Sequence, residues 1–432
     1  MAIRHWLQEN HMIIESDIDR KPRKKIGWIL LLVFMGLLAA AGAFSLMKMN
    51  GDGESGDWDD EMSVEPEMSE LEKKVNEVMA DMTLEEKIGQ MLMISFSAIR
   101  MNDALRGQLV NDRPGGFILF SDNVYTYEST LALVNDIKAT NEEIPLFIGI
   151  DQEGGLVQRI RALPDADVTI IPPMYDLGRT GNVELSREMG AVVARELRAF
   201  GVNMNMAPVI DVWLNPSNVV IGDRAFGTTA DEVIRMAFPF ADGMAENGVI
   251  PVFKHFPGHG DTYLDSHFAL PVVEKSKEEL VSRELLPFIE AIRRKEDVIM
   301  MGHLQLIQID ELPTSISRKV VTGLLREELG FEGIVMTDAL NMYALTMNYT
   351  WEEIYIHAVN AGVDILLMPE SPRGAIEVIG AQVKNGSITE ERIDESVRRI
   401  LTLKFSKMAE GNLPWSAIGT EENREIVERI YQ

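Results

Sequence analysis

The stretch GVIPVFKHFPGHGDTYLDSH, residues 248–267, joins an apolar, strand-like run to a polar loop. The run before Lys254 is rich in β-branched and aromatic residues, whereas Pro257, Gly258 and Gly260 exclude a helix in the loop. Three of the chain's seven histidines lie between residues 254 and 267. Because α/β enzymes carry their catalytic groups on loops at the ends of buried strands, this stretch predicts chemistry at the end of a buried strand.

Eight apolar runs, including the one above, alternate with amphipathic stretches of helical period. They cover residues 91–96, 116–120, 146–150, 202–206, 250–254, 298–302, 333–337 and 364–368. Strands that are buried on both faces have this continuous apolar pattern, and their alternation with helices predicts an α/β fold with a single (β/α)8 TIM-type barrel. An open, doubly wound sheet is the alternative. No G-x-G-x-x-G motif follows the first run, which weakens a nucleotide-binding version of that sheet.

Asp265 and His267, at the end of the loop, are separated by one residue. In an extended segment the two side chains share a face, and a carboxylate bonded to one imidazole nitrogen orients the ring and raises its basicity. The pair is therefore a candidate general acid/base. A metal site is the alternative, because His255 and His259 have the spacing of a helical zinc pair. The proline and glycine between them remove the helix that would align them.

The composition of the 432-residue chain limits its partners. The net charge of −27 argues against nucleic acid or an anionic membrane surface as a partner. The chain has no cysteine, which excludes disulfides and thiolate zinc sites. Nothing in the sequence implies a metal or an organic cofactor, and the oligomeric state cannot be read from it.

Residues 26–47 form a nearly unbroken apolar run, which at ~1.5 Å per residue is long enough to cross a membrane. Basic residues between 20 and 25 precede it, so the positive-inside rule predicts a single-pass anchor with a cytoplasmic N-terminus. We expect a cytoplasmic tail over residues 1–25, a transmembrane helix over 26–47, an acidic disordered linker over 48–66 and an extracytoplasmic catalytic domain over 67–432. Cleavage of a signal peptide near residues 39–43, followed by secretion, is the alternative.

The pattern K-H-F-P-G-H-G-x-x-x-x-D-S-H over residues 254–267 resembles the signature loop of the glycoside hydrolase family 3 β-N-acetylglucosaminidases. Further segments are similar to family landmarks in the same order: 82–91, 151–155 with Arg159, 222–227 and 337–340. The resemblance covers residues 70–410. It implies a retaining exo-β-N-acetylglucosaminidase that removes terminal β-linked N-acetylglucosamine from peptidoglycan-derived muropeptides or related oligosaccharides.

The same resemblance implies roles for individual residues. It makes Asp338 the nucleophile, which forms a covalent glycosyl-aspartate, and His267, oriented by Asp265, the acid/base. The positions that match the family's sugar-binding residues are Asp151, Arg159, Arg224, Lys254 and His255. One departure is Leu156, where many relatives carry arginine, and it leaves the preference for the aglycone open.

The placement of four candidates supports these roles independently of the resemblance. Asp151, Lys254, His255 and Asp338 each lie at or just beyond the carboxyl end of a predicted strand, which is the active face of a barrel. Three alternatives stay open. The first alternative is a β-glucosidase-type glycosidase. The second is an N-acetylglucosaminide phosphorylase, because a histidine acid/base does not repel phosphate. The third is a non-catalytic sugar-binding surface protein.

Overall fold

Parallel strands alternate with helices along residues 68–262, 266 and 270–432, the parts of the chain that the computed structural model describes. The strands are β1 (Leu92–Ile94), β2 (Gly116–Leu119), β3 (Phe147–Ile150), β4 (Gln152–Gly154), β5 (Val157–Gln158), β6 (Met204–Asn205), β7 (Ile250–Pro251), β8 (Phe253–Phe256), β9 (Val272–Val273), β10 (Val298–Met301), β11 (Gln305–Leu306), β12 (Ile334–Thr337) and β13 (Leu366–Leu367). Each of the eight predicted runs contains one of these strands, and the fifth run also overlaps the start of β8.

The α-helices of the described chain are α1 (Glu70–Asp81), α2 (Leu84–Gln90), α3 (Asp103–Asp112), α4 (Tyr127–Lys138), α5 (Met174–Thr180), α6 (Val183–Ala199), α7 (Ala230–Glu246), α8 (Lys277–Ser282), α9 (Leu286–Arg294), α10 (Tyr343–Thr346), α11 (Trp351–Ala361), α12 (Pro372–Lys384), α13 (Glu390–Lys407) and α14 (Glu421–Glu428). A π-helical segment spans Lys319–Glu328. Short 3₁₀ segments span Gly222–Arg224, Thr314–Ile316, Trp415–Ala417 and Arg429–Tyr431.

Local sequence explains where several helices begin. In α7, the Thr229 hydroxyl accepts the Glu232 N–H at 3.3 Å, while the Glu232 carboxylate accepts the Thr229 N–H at 3.1 Å. The same reciprocal arrangement begins α1, α2, α4, α8 and α11. It satisfies backbone N–H groups that have no partner within the helix.

The prediction of one closed eight-stranded barrel is wrong. The described strands form a six-stranded parallel sheet in the order β13-β1-β2-β3-β6-β7 and a separate three-stranded parallel sheet in the order β12-β10-β8. Two small pairs lie beside them: β9 with β11, which are parallel, and β4 with β5, which are antiparallel. Only isolated bridges, Val209 with Lys254 and Met336 with Ile365, connect the large sheets among the described residues.

The two seams between the sheets have physical causes that the apolar pattern does not reveal. The fifth run is interrupted after Pro251, so that β7 pairs with β6 while β8 pairs with β10. At the other seam, backbone and side-chain hydrogen bonds are mixed. The Thr337 N–H donates to the Ile365 carbonyl oxygen at 3.0 Å. The Asp364 carboxylate accepts the Val335 N–H at 2.9 Å, and the Thr337 hydroxyl accepts the Leu367 N–H at 3.0 Å. These side-chain bonds pair backbone N–H groups where the ladder does not continue.

The predicted transmembrane helix over residues 26–47, the tail over 1–25 and the linker over 48–66 all lie outside the described residues. Within the described residues, no helix is long and apolar enough to cross a membrane. The transmembrane part of the fold prediction therefore gains no support from the structure.

Candidate active site

Three of the predicted sugar-binding residues come together: Asp151 after β3, Arg159 after β5 and Lys254 within β8. Asp151 follows β3, and its two carboxylate oxygens bond to two different cations. Lys254 Nζ donates to Oδ1 at 2.8 Å, and Arg159 Nη2 donates to Oδ2 at 3.2 Å. Lys254 is buried, whereas Asp151 and Arg159 are partly exposed. The three side chains therefore form a charged rim that can donate and accept hydrogen bonds with hydroxyl groups.

Glu153 is a central member of the site that the sequence analysis missed. It is buried and pairs with Arg224 through two hydrogen bonds of 2.7 and 2.9 Å, and with Lys254 Nζ at 2.6 Å. Burial favours the neutral acid, but the charges of Arg224 and Lys254 outweigh it and hold the pKa of Glu153 below its ordinary value. Its position two residues after Asp151 could have indicated this role, because both lie in the segment 151–155.

Asp211 is a second missed carboxylate and lies in the interior beyond β6. Its Oδ2 lies 2.7 Å from His255 Nδ1 and accepts the His255 N–H at 3.2 Å. Its Oδ1 accepts the His259 N–H at 2.6 Å. Burial opposes ionisation of Asp211, but the neighbouring His255 and His259 lower its pKa. The carboxylate therefore fixes the ring of His255 and the start of the following loop.

The metal alternative for the histidine pair finds no support in this geometry. The rings of His255 and His259 lie 6.0 Å apart between centroids. His255 Nδ1 faces Asp211, while the two ring nitrogens of His259 face the hydroxyls of Thr262 and Ser266. Across the described residues, no group of three or more acidic, histidine or cysteine side chains is arranged to hold a metal ion.

Asp338 lies directly after β12 and is partly exposed. Its Oδ1 accepts the N–H of Ala339 at 2.8 Å, and among the described residues no cation forms an ion pair with it. Burial favours its neutral form, but the imidazoles of His255 and His303, together with the Ala339 N–H and Lys254, lower the pKa of Asp338. The side chain is therefore an ionised carboxylate whose second oxygen receives no hydrogen bond from the described part of the chain.

His303 is buried and is held from both sides. Its Nδ1 lies 2.7 Å from Ser315 Oγ, and its Nε2 lies 3.0 Å from the Ala339 carbonyl oxygen. The ring thus contacts the residue after Asp338 and supports the backbone there.

The predicted acid/base residues Asp265 and His267 lie outside the described residues, so their geometry stays a prediction. Ser266, between them, is described and buried. Its hydroxyl lies 3.1 Å from His259 Nε2. Leu156, at the tip of the β4–β5 hairpin, is 81% exposed and close in sequence to Glu153 and Arg159.

Family comparison identifies the class of protein to which this site belongs. Residues 83–403 match the glycosyl hydrolase family 3 N-terminal domain. The chain belongs to this family. The resemblance predicted from residues 254–267 is confirmed, and with it the prediction of a glycoside hydrolase.

Curated relatives are similar along most of the same region. A β-hexosaminidase of Idiomarina loihiensis is 33% identical over 314 residues, which cover 72% of this chain and 92% of the relative. The β-hexosaminidase A of Pseudoalteromonas piscicida is 32% identical over 320 residues, which cover 67% of this chain and 53% of that relative. The chain therefore spans about half the length of one relative and nearly all of the other.

Solved structures give the same family. A glycoside hydrolase family 3 β-N-acetylglucosaminidase from Paenibacillus sp. str. FPU-7 is 38% identical with a TM-score of 0.74, covering 81% of this chain and 68% of that one. A fungal multi-domain family 3 β-N-acetylglucosaminidase is 30% identical with a TM-score of 0.76, covering 81% of this chain and 43% of that one.

Proposed function

We propose that this chain is a retaining exo-β-N-acetylglucosaminidase, which hydrolyses a terminal β-linked N-acetylglucosamine through a glycosyl-aspartate. The observation that carries the proposal is the carboxylate of Asp338 after β12, which a lowered pKa keeps ionised and which receives one hydrogen bond from the described residues. Lys254, one of the cations that lower this pKa, belongs to the network with Asp151, Glu153 and Arg224. The names of the relatives, β-hexosaminidases and β-N-acetylglucosaminidases, support the sugar and the linkage.

The charged network is suited to holding one sugar ring. The Asp151 carboxylate accepts from two cations and can take further bonds from sugar hydroxyls, because a carboxylate has about four acceptor positions. Arg224 and Lys254 share the buried Glu153, which fixes their donors without consuming all of them. His255, locked by Asp211, offers its other ring nitrogen. These fixed groups would position the anomeric carbon beside Asp338.

The chemistry would proceed in two displacements. Asp338 attacks the anomeric carbon while the glycosidic carbon–oxygen bond breaks, and His267 gives its proton to the departing aglycone oxygen. Water then attacks the anomeric carbon while His267 takes its proton, the bond from that carbon to Asp338 breaks, and N-acetylglucosamine is released with Asp338 again a carboxylate. A lowered pKa keeps Asp338 ionised at neutral pH, which is the form that a nucleophile needs.

The acid/base assignment to His267 and Asp265 rests on the motif alone. It predicts that His267→Ala slows substrates with poor leaving groups by about 10²–10⁴-fold and activated aryl glycosides far less, because protonation matters most for a poor leaving group. Steady-state kinetics on both substrate types test this. Equal losses on both would remove His267 from the role.

A pair of aryl glycosides tests the reaction itself. The purified protein should release 4-nitrophenol from the β-N-acetylglucosaminide, and Asp338→Ala should abolish that release while the variant stays folded. Turnover of the β-glucoside in preference to the N-acetylglucosaminide would favour the β-glucosidase alternative. Sugar-1-phosphate formed only in phosphate buffer would favour the phosphorylase alternative.

The natural aglycone and the location belong to the same proposal. Muropeptide fragments of peptidoglycan are the proposed source of the terminal sugar, and release of N-acetylglucosamine from purified fragments tests this. An extracytoplasmic location stays a prediction, and protection of the domain from added protease in intact cells would contradict it.

A further inference from the structure

Gln152 lies between two charged residues of the site, Asp151 and Glu153. Both carboxylates contact Lys254 Nζ, at 2.8 and 2.6 Å. Because successive side chains along an extended segment point to opposite faces, the side chain of Gln152 points away from this cation. Gln152 is only 5% exposed. Its amide is therefore directed into the protein, on the side of β4 opposite to the charged residues.

The buried amide of Gln152 bonds to the backbone just after β5, where Arg159 lies. Its Oε1 accepts the Arg159 N–H at 2.9 Å and the Ile160 N–H at 3.1 Å. Its Nε2 donates to the Ile160 carbonyl oxygen at 2.8 Å. A carboxylate could accept from the two N–H groups but could not donate to the carbonyl, and an apolar side chain could do neither. These three bonds fix the backbone from which the Arg159 side chain extends.

The backbone of Gln152 is fixed in turn by Asn205, a fully buried residue of β6. The Asn205 Oδ1 accepts the Gln152 N–H at 2.9 Å, and its Nδ2 donates to the Gln152 carbonyl oxygen at 2.9 Å. The strand β6 pairs with β3 in the six-stranded sheet. A continuous series of hydrogen bonds thus connects this sheet, through Asn205 and Gln152, to the backbone of Arg159.

Two contacts orient the guanidinium of Arg159. Its Nη2 donates to Asp151 Oδ2 at 3.2 Å, and its central carbon lies 5.3 Å from the centre of the Phe120 ring. Its buried Nε has no hydrogen-bond partner among the described residues. The donors of a guanidinium have a fixed planar arrangement, so the position of the Arg159 backbone decides which of them reach a sugar hydroxyl beside Asp151. A shift of that backbone would therefore weaken binding of the sugar.

We infer that Gln152 is a positioning residue for Arg159 and acts on sugar binding through it. The inference rests on the proposed function, in which Asp151 and its cationic partners hold the terminal sugar. Gln152 itself does not touch the sugar, because its amide is buried against the backbone of residues 159 and 160. Loss of the amide should weaken sugar binding, and it should do so only while the Arg159 guanidinium is present.

A double-mutant cycle on the full chain tests this dependence. Gln152→Met keeps the approximate length of the side chain but removes all three hydrogen bonds, Arg159→Ala removes the guanidinium, and the double variant completes the cycle. Gln152→Asn, which keeps an amide on a shorter side chain, is the second variant if Gln152→Met does not fold. Each protein is assayed for kcat and KM on 4-nitrophenyl N-acetyl-β-D-glucosaminide. Competitive inhibition by N-acetylglucosamine measures the affinity for the sugar without an aglycone.

Asn203→Leu is the matched control. The Asn203 amide also bonds to backbone groups, accepting the Ile148 N–H at 2.8 Å and donating to the Leu146 carbonyl oxygen at 3.0 Å. Asn203 is likewise 5% exposed, but its contacts lie at the amino end of β3, whereas Asp151 follows the carboxyl end. A loss of stability alone should therefore appear in both Gln152→Met and Asn203→Leu, and urea unfolding measures it.

We expect Gln152→Met to raise KM and the inhibition constant of N-acetylglucosamine about tenfold and to change kcat less than about threefold, because binding is weakened more than the reaction of the bound sugar. Arg159→Ala should raise both constants at least as much. In the Arg159→Ala background, Gln152→Met should add less than about twofold, since no guanidinium remains to be misplaced. Asn203→Leu should leave both constants within about twofold of wild type.

Three results would overturn the inference and leave the proposed function in place, since wild type would still cleave the N-acetylglucosaminide. Gln152→Met would raise KM by the same factor with and without the Arg159 guanidinium, or it would leave KM unchanged, or Asn203→Leu would raise KM equally. Absence of turnover by folded wild type would instead remove the proposed function, and the inference with it.

Discussion

Two aspartates near opposite ends of β12 show how the same side chain serves two purposes. Asp364 is fully buried, and both of its oxygens are occupied. Oδ2 accepts from the Val335 N–H at 2.9 Å and from Arg326 at 2.5 Å, and Oδ1 accepts from Ser396 at 2.6 Å and from Arg399 at 3.1 Å.

Asp338, at the carboxyl end of the same strand, has the opposite environment. Within the described residues its carboxylate receives one hydrogen bond, from the N–H of Ala339, and it is partly exposed. A carboxylate whose lone pairs are all engaged stabilises the fold, whereas one with a free oxygen can attack a carbon atom. Hydrogen bonding thus separates the structural aspartate from the reactive one, although both flank one strand.

The largest expected effect breaks the reactive side of this comparison. Asp338→Asn keeps the size of the side chain and its bond to Ala339, but it removes the nucleophilic charge. We expect kcat/KM for the aryl N-acetylglucosaminide to fall roughly 10⁴-fold, with little change in the free energy of unfolding. Kinetics and urea unfolding on the same preparation measure both quantities. An active Asp338→Asn variant would disprove the assignment.

The matched change at the structural aspartate should have the reverse result. Asp364→Asn leaves Arg326, Arg392 and Arg399 without their shared carboxylate. Breaking a buried ion pair from one side costs about 3–5 kcal/mol of stability. We expect the urea midpoint to fall accordingly, while kcat/KM per folded molecule stays near the wild-type value. A stable but inactive Asp364→Asn variant would remove the distinction between the two aspartates.

A smaller effect concerns the charged network that would hold the sugar. Arg224→Lys loses the paired hydrogen bonds to Glu153, and we expect KM to rise about tenfold, equivalent to ~1.4 kcal/mol. Arg293→Lys is the control, because Arg293 makes the same paired contact with Glu290 on an exposed helix surface. Such a surface pair contributes little. Similar KM values for both variants would contradict a binding role for Arg224.

The last prediction leaves catalysis unchanged in its readout and concerns the pH dependence of stability. The pKa of His259 is lowered from 6.5 to about 4 in the folded state. Below pH 6.5 the unfolded chain takes up this proton first, so the stabilisation present at higher pH is lost as the pH falls from 6.5 through 4. We expect His259→Gln to lose less unfolding free energy than wild type over that interval. An unchanged slope would show that His259 is not buried in a neutral form.

The sequence predicted the positions of the strands better than the way in which the strands pair. Every apolar run contains a strand, because strands covered on both faces have a continuous apolar pattern. The closed barrel did not follow. The pairing partner changes from β6 to β10 after Pro251, and at the other seam the side chains of Thr337 and Asp364 accept backbone N–H groups. The apolar pattern does not show where a strand changes its partner.

The candidate site was predictable to a similar extent. Asp151, Lys254, His255 and Asp338 were identified by their position after strands and by the family motif. Glu153 and Asp211 were not identified. In the sequence, a buried carboxylate that positions other functional residues cannot be distinguished from one that caps a helix. Their roles follow from contacts between segments far apart in the chain, Glu153 with Arg224 and Asp211 with His255.

Trapping the glycosyl-enzyme tests the central claim most directly. The protein would be incubated with a 5-fluoro N-acetylglucosaminyl fluoride, which forms the covalent intermediate of a retaining enzyme faster than it is hydrolysed, and then digested for peptide mass spectrometry. We predict one sugar on the peptide that contains Asp338, and none on the same peptide of Asp338→Asn. A sugar attached at another carboxylate, or turnover of the probe without any covalent adduct, would contradict Asp338 as the nucleophile.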